Sequence, residues 1–295
     1  MKSAIIPRRV IVLFFLPAAA FLIIFMVFPV IKMCYDSFFE VTLGGSTFVG
    51  LAQYIKMFTS DTFLIPLRNT LAYVGVSVSV QFVLGLILAL LFSVPYKGSK
   101  VIRSFINTPV MIAPIVTGLV WKYMFSSQFG IINQYLTVIG ILERSSDLMW
   151  LADPNYAFIA CCIAEIWLST PFMMLMLLAG ISSLDGSMLE AARIDGANWL
   201  QQIFRVILPN LKFIIITSLS IRIVDAARSF DIIWALTGGG PLNATELLSI
   251  TIYRQLTRYN NIGYANAIAS VFVLVLMIFT IVFMQNLWNP KKRNQ

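Results

Sequence analysis

Residues Ser187–Pro209 read SMLEAARIDGANWLQQIFRVILP. The stretch holds a Glu-Ala-Ala triplet, an Asp-Gly pair and a Leu-Pro close, and it separates two very apolar runs. Ser187 with Glu190 three residues later is the S-x-x-E pattern of a capping box, which predicts a helix over 188–195. Gly196 is the residue type that enters the left-handed conformation most side chains avoid, so that helix should stop there. A second helix, Asn198 to Val206, is expected to end before Pro209, because the residue before a proline is pushed out of the helical region. Trp199, Leu200, Ile203, Phe204 and Ile207 give it an amphipathic pattern. The two make a water-facing hairpin. A rigid hairpin of that kind transmits motion to or from a soluble partner.

Everything around this hairpin is suited to lipid. Hydrophobic residues make up 59% of the 295 and charged residues 12%, against about 25% charged in a soluble chain. Six apolar runs reach the roughly 20 residues a bilayer crossing needs: about 10–34, 67–93, 104–125, 156–181, 211–236 and 265–288. In lipid each backbone group must be satisfied within its own segment, so the fold class is all-α, a polytopic bundle of six transmembrane helices. No linker or low-complexity stretch divides the chain, and residues 1–295 are read as one domain with a cytoplasmic loop at 182–210. The first run follows Arg8 and Arg9 but is longer than a signal-peptide core and has no small-residue cleavage site, so it is expected to be a retained span.

Lysine and arginine set the orientation. With the N-terminus inside, the inner segments carry twelve basic residues, among them Lys2, Arg8, Arg9, Lys291, Lys292 and Arg293, against three acidic ones. The outer segments balance seven against seven. Both termini and the Ser187–Pro209 hairpin therefore belong in the cytoplasm. In the first outer loop, Leu51, Tyr54, Ile55 and Phe58 share a helical face, predicting a short helix on the membrane surface. Asp153-Pro154 is a helix start. Gly238-Gly239-Gly240-Pro241 breaks the fifth helix, and Ala244 to Thr257 reads as another short one. Pro17, Pro29, Pro109, Pro114 and Pro171 fall inside spans as kinks; those at Pro114 and Pro171 are candidates to open a central cavity.

Several chemistries are excluded. The net charge of +8 is spread singly between apolar runs, not gathered on the basic face that nucleic acid needs. Histidine is absent, which removes a His-based zinc site, a Ser-His-Asp triad and a histidine proton relay. Cys34 and the adjacent Cys161 and Cys162 have no CxxC spacing, so no metal site is expected. No G-x-x-x-x-G-K-[ST] occurs, so this chain does not hold ATP by a P-loop.

Charges inside the spans point to a polar path. Arg222, Asp225, Arg228 and Asp231 recur every third residue on the fifth helix, where neighbours pair at i,i+3. The fourth helix carries Glu165, with Ser169 one turn on, and Trp167 beside it. At a rise of about 1.5 Å per residue, Arg222 and Glu165 each lie about 13–16 Å from a helix end, near the midplane. A charge facing lipid there costs at least about 2.5 kcal/mol. Glu165 is expected to pair with Arg222, with Asp225, Arg228 and Asp231 lining or bracing the path; bracing alone, without solute contact, is the competing reading.

The hairpin resembles the EAA loop of ABC-importer permeases: Glu-Ala-Ala, three residues, Gly, nine residues, Ile, any residue, Leu-Pro. Here these are Glu190-Ala191-Ala192, Gly196 and Leu208-Pro209, with Val206 in place of Ile. The fuller form, Glu190 to Ala197 with Asp195, is similar to the carbohydrate branch of maltose- and glycerol-phosphate-type permeases. Gly50-Leu51, Tyr54, Asn69-Thr70, Trp167, Pro171, Phe230-Asp231, Thr237, Gly239-Gly240-Pro241, Thr245 and Ile252-Tyr253 extend the likeness over about 10–288; the large external domain of the maltose-type permease is absent.

The resemblance implies a non-catalytic permease subunit of the bacterial cytoplasmic (inner) membrane. It implies a second, similar permease as heterodimer partner, a cytoplasmic ATPase dimer that holds ATP and Mg, and an extracytoplasmic solute-binding protein. The chain itself binds no cofactor. Glu190, Ala191, Ala192, Asp195, Gly196, Leu208 and Pro209 would form the ATPase-coupling surface, Glu190 meeting a basic group. Asp-Gly-Ala and Gly-Gly-Pro favour a sugar or related polar solute. A permease for peptides or amino acids, a stand-alone secondary transporter and a membrane-embedded enzyme are the rivals.

Overall fold

Long apolar runs with few breakers become long helices, and the computed structural model, which describes residues 8–42, 45–94 and 96–287, has four that reach membrane length. They are Phe14–Asp36, Asp61–Ser93, Pro154–Ser182 and Ile262–Phe283. The third and fifth runs are bent pairs: Ser99–Met111 with Pro114–Met124 at 103°, and Trp199–Asn210 with Lys212–Ala227 at 73°. Counting each pair once makes six. The terminal residues Lys2, Lys291, Lys292 and Arg293, used for orientation, lie outside the described residues.

Prolines explain where the straight-helix expectation fails. Ile112 and Ala113 are extended, with ψ 133° and 138°; at Ala113 the steric pressure of Pro114 dictates it. Pro114 then opens the next helix, where its missing N–H costs nothing. Pro114 thus marks the expected bend of this run and starts its second helix. The expected stop before Pro209 does not occur. A π-helical turn, Ile203–Ile207, precedes it, and the helix runs through to Asn210. The wider turn relieves the clash between the proline ring and the preceding carbonyls. The same device, Ile23–Val27, precedes Pro29 in the first span. The fifth run breaks at Arg228–Phe230, before the glycines blamed for it, and restarts as Asp231–Leu236.

The chain divides into two compact units. One comprises the chain through Leu64 with Thr251–Val275. It contains an antiparallel hairpin, Phe39–Thr42 with Gly45–Phe48, whose end pair Phe39 and Phe48 meets edge-on at 5.4 Å. These short strands were not expected from the sequence. The Ala52–Thr59 helix buries Gln53 and Met57 and turns Leu51, Ile55 and Phe58 outward. Tyr54 leaves that face, its hydroxyl 2.6 Å from Ser37 Oγ.

The other unit, Ile65–Ile250 with the chain from Leu276, has two apolar clusters. Tyr73, Trp121, Phe125, Ile232, Ile233 and Leu236 belong to one; Met173, Met174, Leu177, Ile203, Ile207 and Leu211 belong to the other. Asp153 caps the Pro154–Ser182 helix as expected, accepting from the N–H groups of Asn155 and Tyr156 at 2.8 and 3.1 Å. The preceding connection is less open than its polarity suggests. It holds a helix, Ile131–Val138, whose buried Asn133 donates to Ser145 O and Leu148 O and accepts from Trp150 Nε1. Asn69 and Thr70 pin the 243–248 segment through Asn243 O, Glu246 O and Leu248 N. The helix after it is Leu248–Thr257, shorter than expected because residues 244–247 form turns and irregular backbone.

Gly118 lets two helices of this unit approach closely. A Cβ there would lie 2.7 Å from both Ala235 Cβ and Ile232 O. Close helix approach in membranes depends on such small residues. Gly118→Val is therefore expected to lower stability by about 1–3 kcal/mol through overpacking. Thermal unfolding of the purified chain in detergent reads this directly, and an unchanged midpoint would show that the contact yields freely.

Candidate functional site

Two arrangements carry chemistry. The first lies among the Asp61–Ser93, Pro154–Ser182 and Lys212–Ala227 helices. Glu165 and Arg222 are 4% and 7% exposed and form the expected ion pair between Arg222 Nη2 and Glu165 Oε1. Arg222 Nε donates to Gln81 Oε1 at 3.0 Å, and Nη1 faces Asp225 Oδ2 at 3.6 Å. Glu165 also accepts from Ser169 Oγ at 3.1 Å and from the Tyr73 hydroxyl at 3.3 Å. Asp225 accepts in turn from Arg228 Nη2 at 2.5 Å, and the Arg228 side chain is 67% exposed.

The result is a relay of charge from a buried pair to an open surface. Its four ions, Glu165, Arg222, Asp225 and Arg228, sum to zero. Each buried ion has several partners, which is the condition under which burial of charge is tolerated. Such a cluster locks three helices in register and leaves its outer members exposed on the chain. Asp231, one more step along the row, does not join it. The helix breaks before it, and Asp231 is exposed at the first position of Asp231–Leu236. A carboxylate suits that end of a helix dipole. Trp167 also points elsewhere, edge-on to Trp121 at 5.9 Å.

Tyr73 and Gln81 were missed, yet a signal existed. Tyr73, Ser77 and Gln81 recur at four-residue spacing inside an otherwise apolar run, so they line one stripe of the helix. All three are fully buried. Gln81 also donates to the main-chain oxygen of Glu165, at 3.4 Å.

The second arrangement is the 186–210 hairpin. Its first helix is Gly186–Ile194, capped by Asp185 and not by Ser187. Asp185 Oδ1 accepts from the Ser187 N–H at 3.0 Å. Ser187 therefore lies inside the helix, and the Ser187–Glu190 capping box is not formed. The Ser187 backbone N–H, and then its hydroxyl, hold the Asp185 carboxyl below its usual value. A depressed value means that the cap persists through neutral pH and is lost only as pH falls through that lowered value. A capping box does form one helix later. Asn198 Oδ1 accepts from Gln201 N at 2.8 Å, and Gln201 Oε1 accepts from Asn198 N at 2.9 Å.

Gly196 closes the first helix as expected, at φ +80°. Gly196 N donates to Arg193 O and Ala197 N to Ala192 O, at 3.0 and 2.9 Å, the paired bonds of a Schellman motif. Asp195 stands at the C-cap. Glu190, Ala191 and Pro209 are exposed, while Ala192 and Leu208 are half-buried. Leu208 packs on the second apolar cluster, to which Ile203 and Ile207 belong. Trp199, Leu200 and Phe204 instead face outward with Met188 and Ile194. The hairpin is thus rooted by one side of its apolar stripe and offers the other. No hydrogen bond or ion pair engages the Glu190 side chain among the described residues.

The chain is similar to known proteins. Residues 81–294 match the family described as binding-protein-dependent transport system inner membrane component. The trehalose/maltose transport system permease protein MalF of Thermococcus litoralis is 34% identical, covering 92% of each chain. The sulfoquinovosyl glycerol transport system permease protein SmoG of Agrobacterium fabrum is 32% identical, covering 94% of this chain and 90% of its own. The fold is like that of a chain in the crystal structure of a bacterial ABC transporter involved in import of the acidic polysaccharide alginate. That match has a TM-score of 0.82 at 23% identity and covers 95% of both chains.

Proposed function

Given that the chain belongs to the family of binding-protein-dependent transport system inner membrane components, we propose that it forms half of a sugar-translocation path and couples it to a cytoplasmic ATPase through the 186–210 hairpin. The observation that carries the coupling role is Glu190: exposed, without a hydrogen bond or ion pair among the described residues, and held on a capped hairpin. Met188, Ile194, Trp199, Leu200 and Phe204 are exposed apolar residues of the same hairpin and supply its apolar contact surface. The permeases for trehalose/maltose and sulfoquinovosyl glycerol support a sugar or related polar solute. A second, similar permease completes the path, an ATPase dimer supplies ATP and Mg, and a solute-binding protein delivers from outside. With the hairpin inside, both termini are cytoplasmic.

Within the membrane, Arg222 and Glu165 brace the path, while Asp225 and Arg228 stand where its water begins. Asp231 and Trp167 are wall residues at other levels. Reconstitution tests the whole reading. The chain with its permease partner, ATPase and binding protein is expected to take up sugar only when ATP is hydrolysed. Solute flux through this chain alone, with no ATPase present, would overturn it.

A further inference from the structure

The Ser99–Asn107 helix belongs to neither arrangement. At about 100° per residue, Ser99, Lys100, Arg103, Ser104 and Asn107 fall in one arc, and Val101, Ile102, Phe105 and Ile106 fall in the opposite one. Among the described residues nothing covers most of the apolar arc: Val101 is 61% exposed and Phe105 73%. Lys97, Lys100 and Arg103 are exposed as well. No acidic residue occurs between Asp61 and Glu143, so no carboxylate from this stretch competes for them. Ser99–Met111 meets Pro114–Met124 at 103°. The two helices therefore cannot both run along the membrane normal.

We propose that Lys97–Asn107 is an interfacial anchor that binds anionic phospholipid headgroups. Lys97, Lys100 and Arg103 contact the headgroups, and Val101, Ile102 and Phe105 sit at the acyl boundary. The inference rests on the reading of this chain as a membrane permease. Lipid fits better than a protein groove because the basic and apolar arcs are back to back. One flat boundary, anionic above and apolar below, satisfies both at once. A protein partner would have to wrap both faces of a nine-residue helix. Tyr96, stacked on Phe92 at 6.2 Å, adds an aromatic ring at the level where such rings collect. The anchor fixes the depth at which the broken span enters the membrane.

The test uses the full chain in nanodiscs of phosphatidylcholine, alone or mixed equally with phosphatidylglycerol. Mass spectrometry of co-purified lipid reads phosphatidylglycerol retention. Each of Lys97→Gln, Lys100→Gln and Arg103→Gln is expected to weaken retention about fivefold, and the triple variant about a hundredfold. Lys97→Arg with Lys100→Arg should retain it. In a Cys34→Ser background, a fluorophore on Val101→Cys should be quenched by brominated lipid, and one on Ser104→Cys by aqueous iodide. If the triple variant does not fold, the wild-type chain still decides: retention must fall as salt rises. Unchanged retention in the triple variant, salt-independent retention in the wild type, or iodide access at both labelled positions would overturn the proposal. So would shielding of position 101 only after the ATPase is added, which would make this a protein-docking face. Because retention is read without transport, loss of the importer reading and loss of this proposal are separate results.

Discussion

Arg222→Met is expected to destabilise the chain by about 3–5 kcal/mol, the largest effect of any single substitution considered. The guanidinium has three partners: Glu165, Gln81 and Asp225. Removing it leaves Glu165 a buried anion held only by the hydroxyls of Ser169 and Tyr73, and leaves the Gln81 carbonyl oxygen without its donor. The cost arises from the stranded charge more than from the lost bond. Glu165→Gln combined with Arg222→Met should therefore be milder than Arg222→Met alone, although it deletes more polar contacts. The charge swap, Glu165→Arg with Arg222→Glu, should recover only in part, because it places a carboxylate at position 222 beside Asp225. Thermal unfolding and the monodisperse fraction in detergent report each step. If the double neutral variant is no more stable than Arg222→Met, the pair is not the source of the loss.

The outer end of the relay should behave differently. Arg228 and Asp225 are a partly solvated pair, and exposed pairs contribute about 0–1 kcal/mol. If the proposed path begins at this exposed end, Arg228→Gln is expected to lower uptake while thermal stability stays nearly unchanged.

The spacing of charges made the centre of this site legible: two ions at midplane depth on adjacent apolar runs had to find each other. The alternating row was legible too, up to the point where the helix ended. Its break at Arg228–Phe230 was not, because no proline or glycine marks it, and Asp231 therefore starts a new helix instead of continuing the row. Tyr73 and Gln81 were hidden in a run read only for its hydropathy. Proline signals were read by rule, as kinks or stops. Two π turns and one helix start show that the rule depends on the preceding turn, which residue pattern does not reveal. In the hairpin, Gly196 was readable since few residues take φ +80°. The cap was misassigned because Asp185 and Ser187 both suit the position, and one carboxylate two residues earlier outcompetes the hydroxyl.

That misassignment changes what Glu190 means. If Ser187 had been the cap, Glu190 would have reached back to close it, and any Glu190 variant would have disturbed the helix. With Asp185 as cap, the Glu190 side chain has no local duty. Glu190→Gln is therefore expected to leave helix content and thermal stability unchanged, while ATPase association weakens by about 2 kcal/mol, roughly thirtyfold. ATP-driven uptake should fall with it. Asp185→Ala makes the opposite profile: it frays the Gly186–Ile194 helix and disturbs coupling through shape, and Asp185→Asn should restore both, since asparagine caps as well. Pull-down of the ATPase by the reconstituted permease pair, read beside circular dichroism, separates the two. Normal ATPase association and uptake with Glu190→Gln would show that no charge is read at this position, and the coupling surface would then reduce to the apolar residues around it.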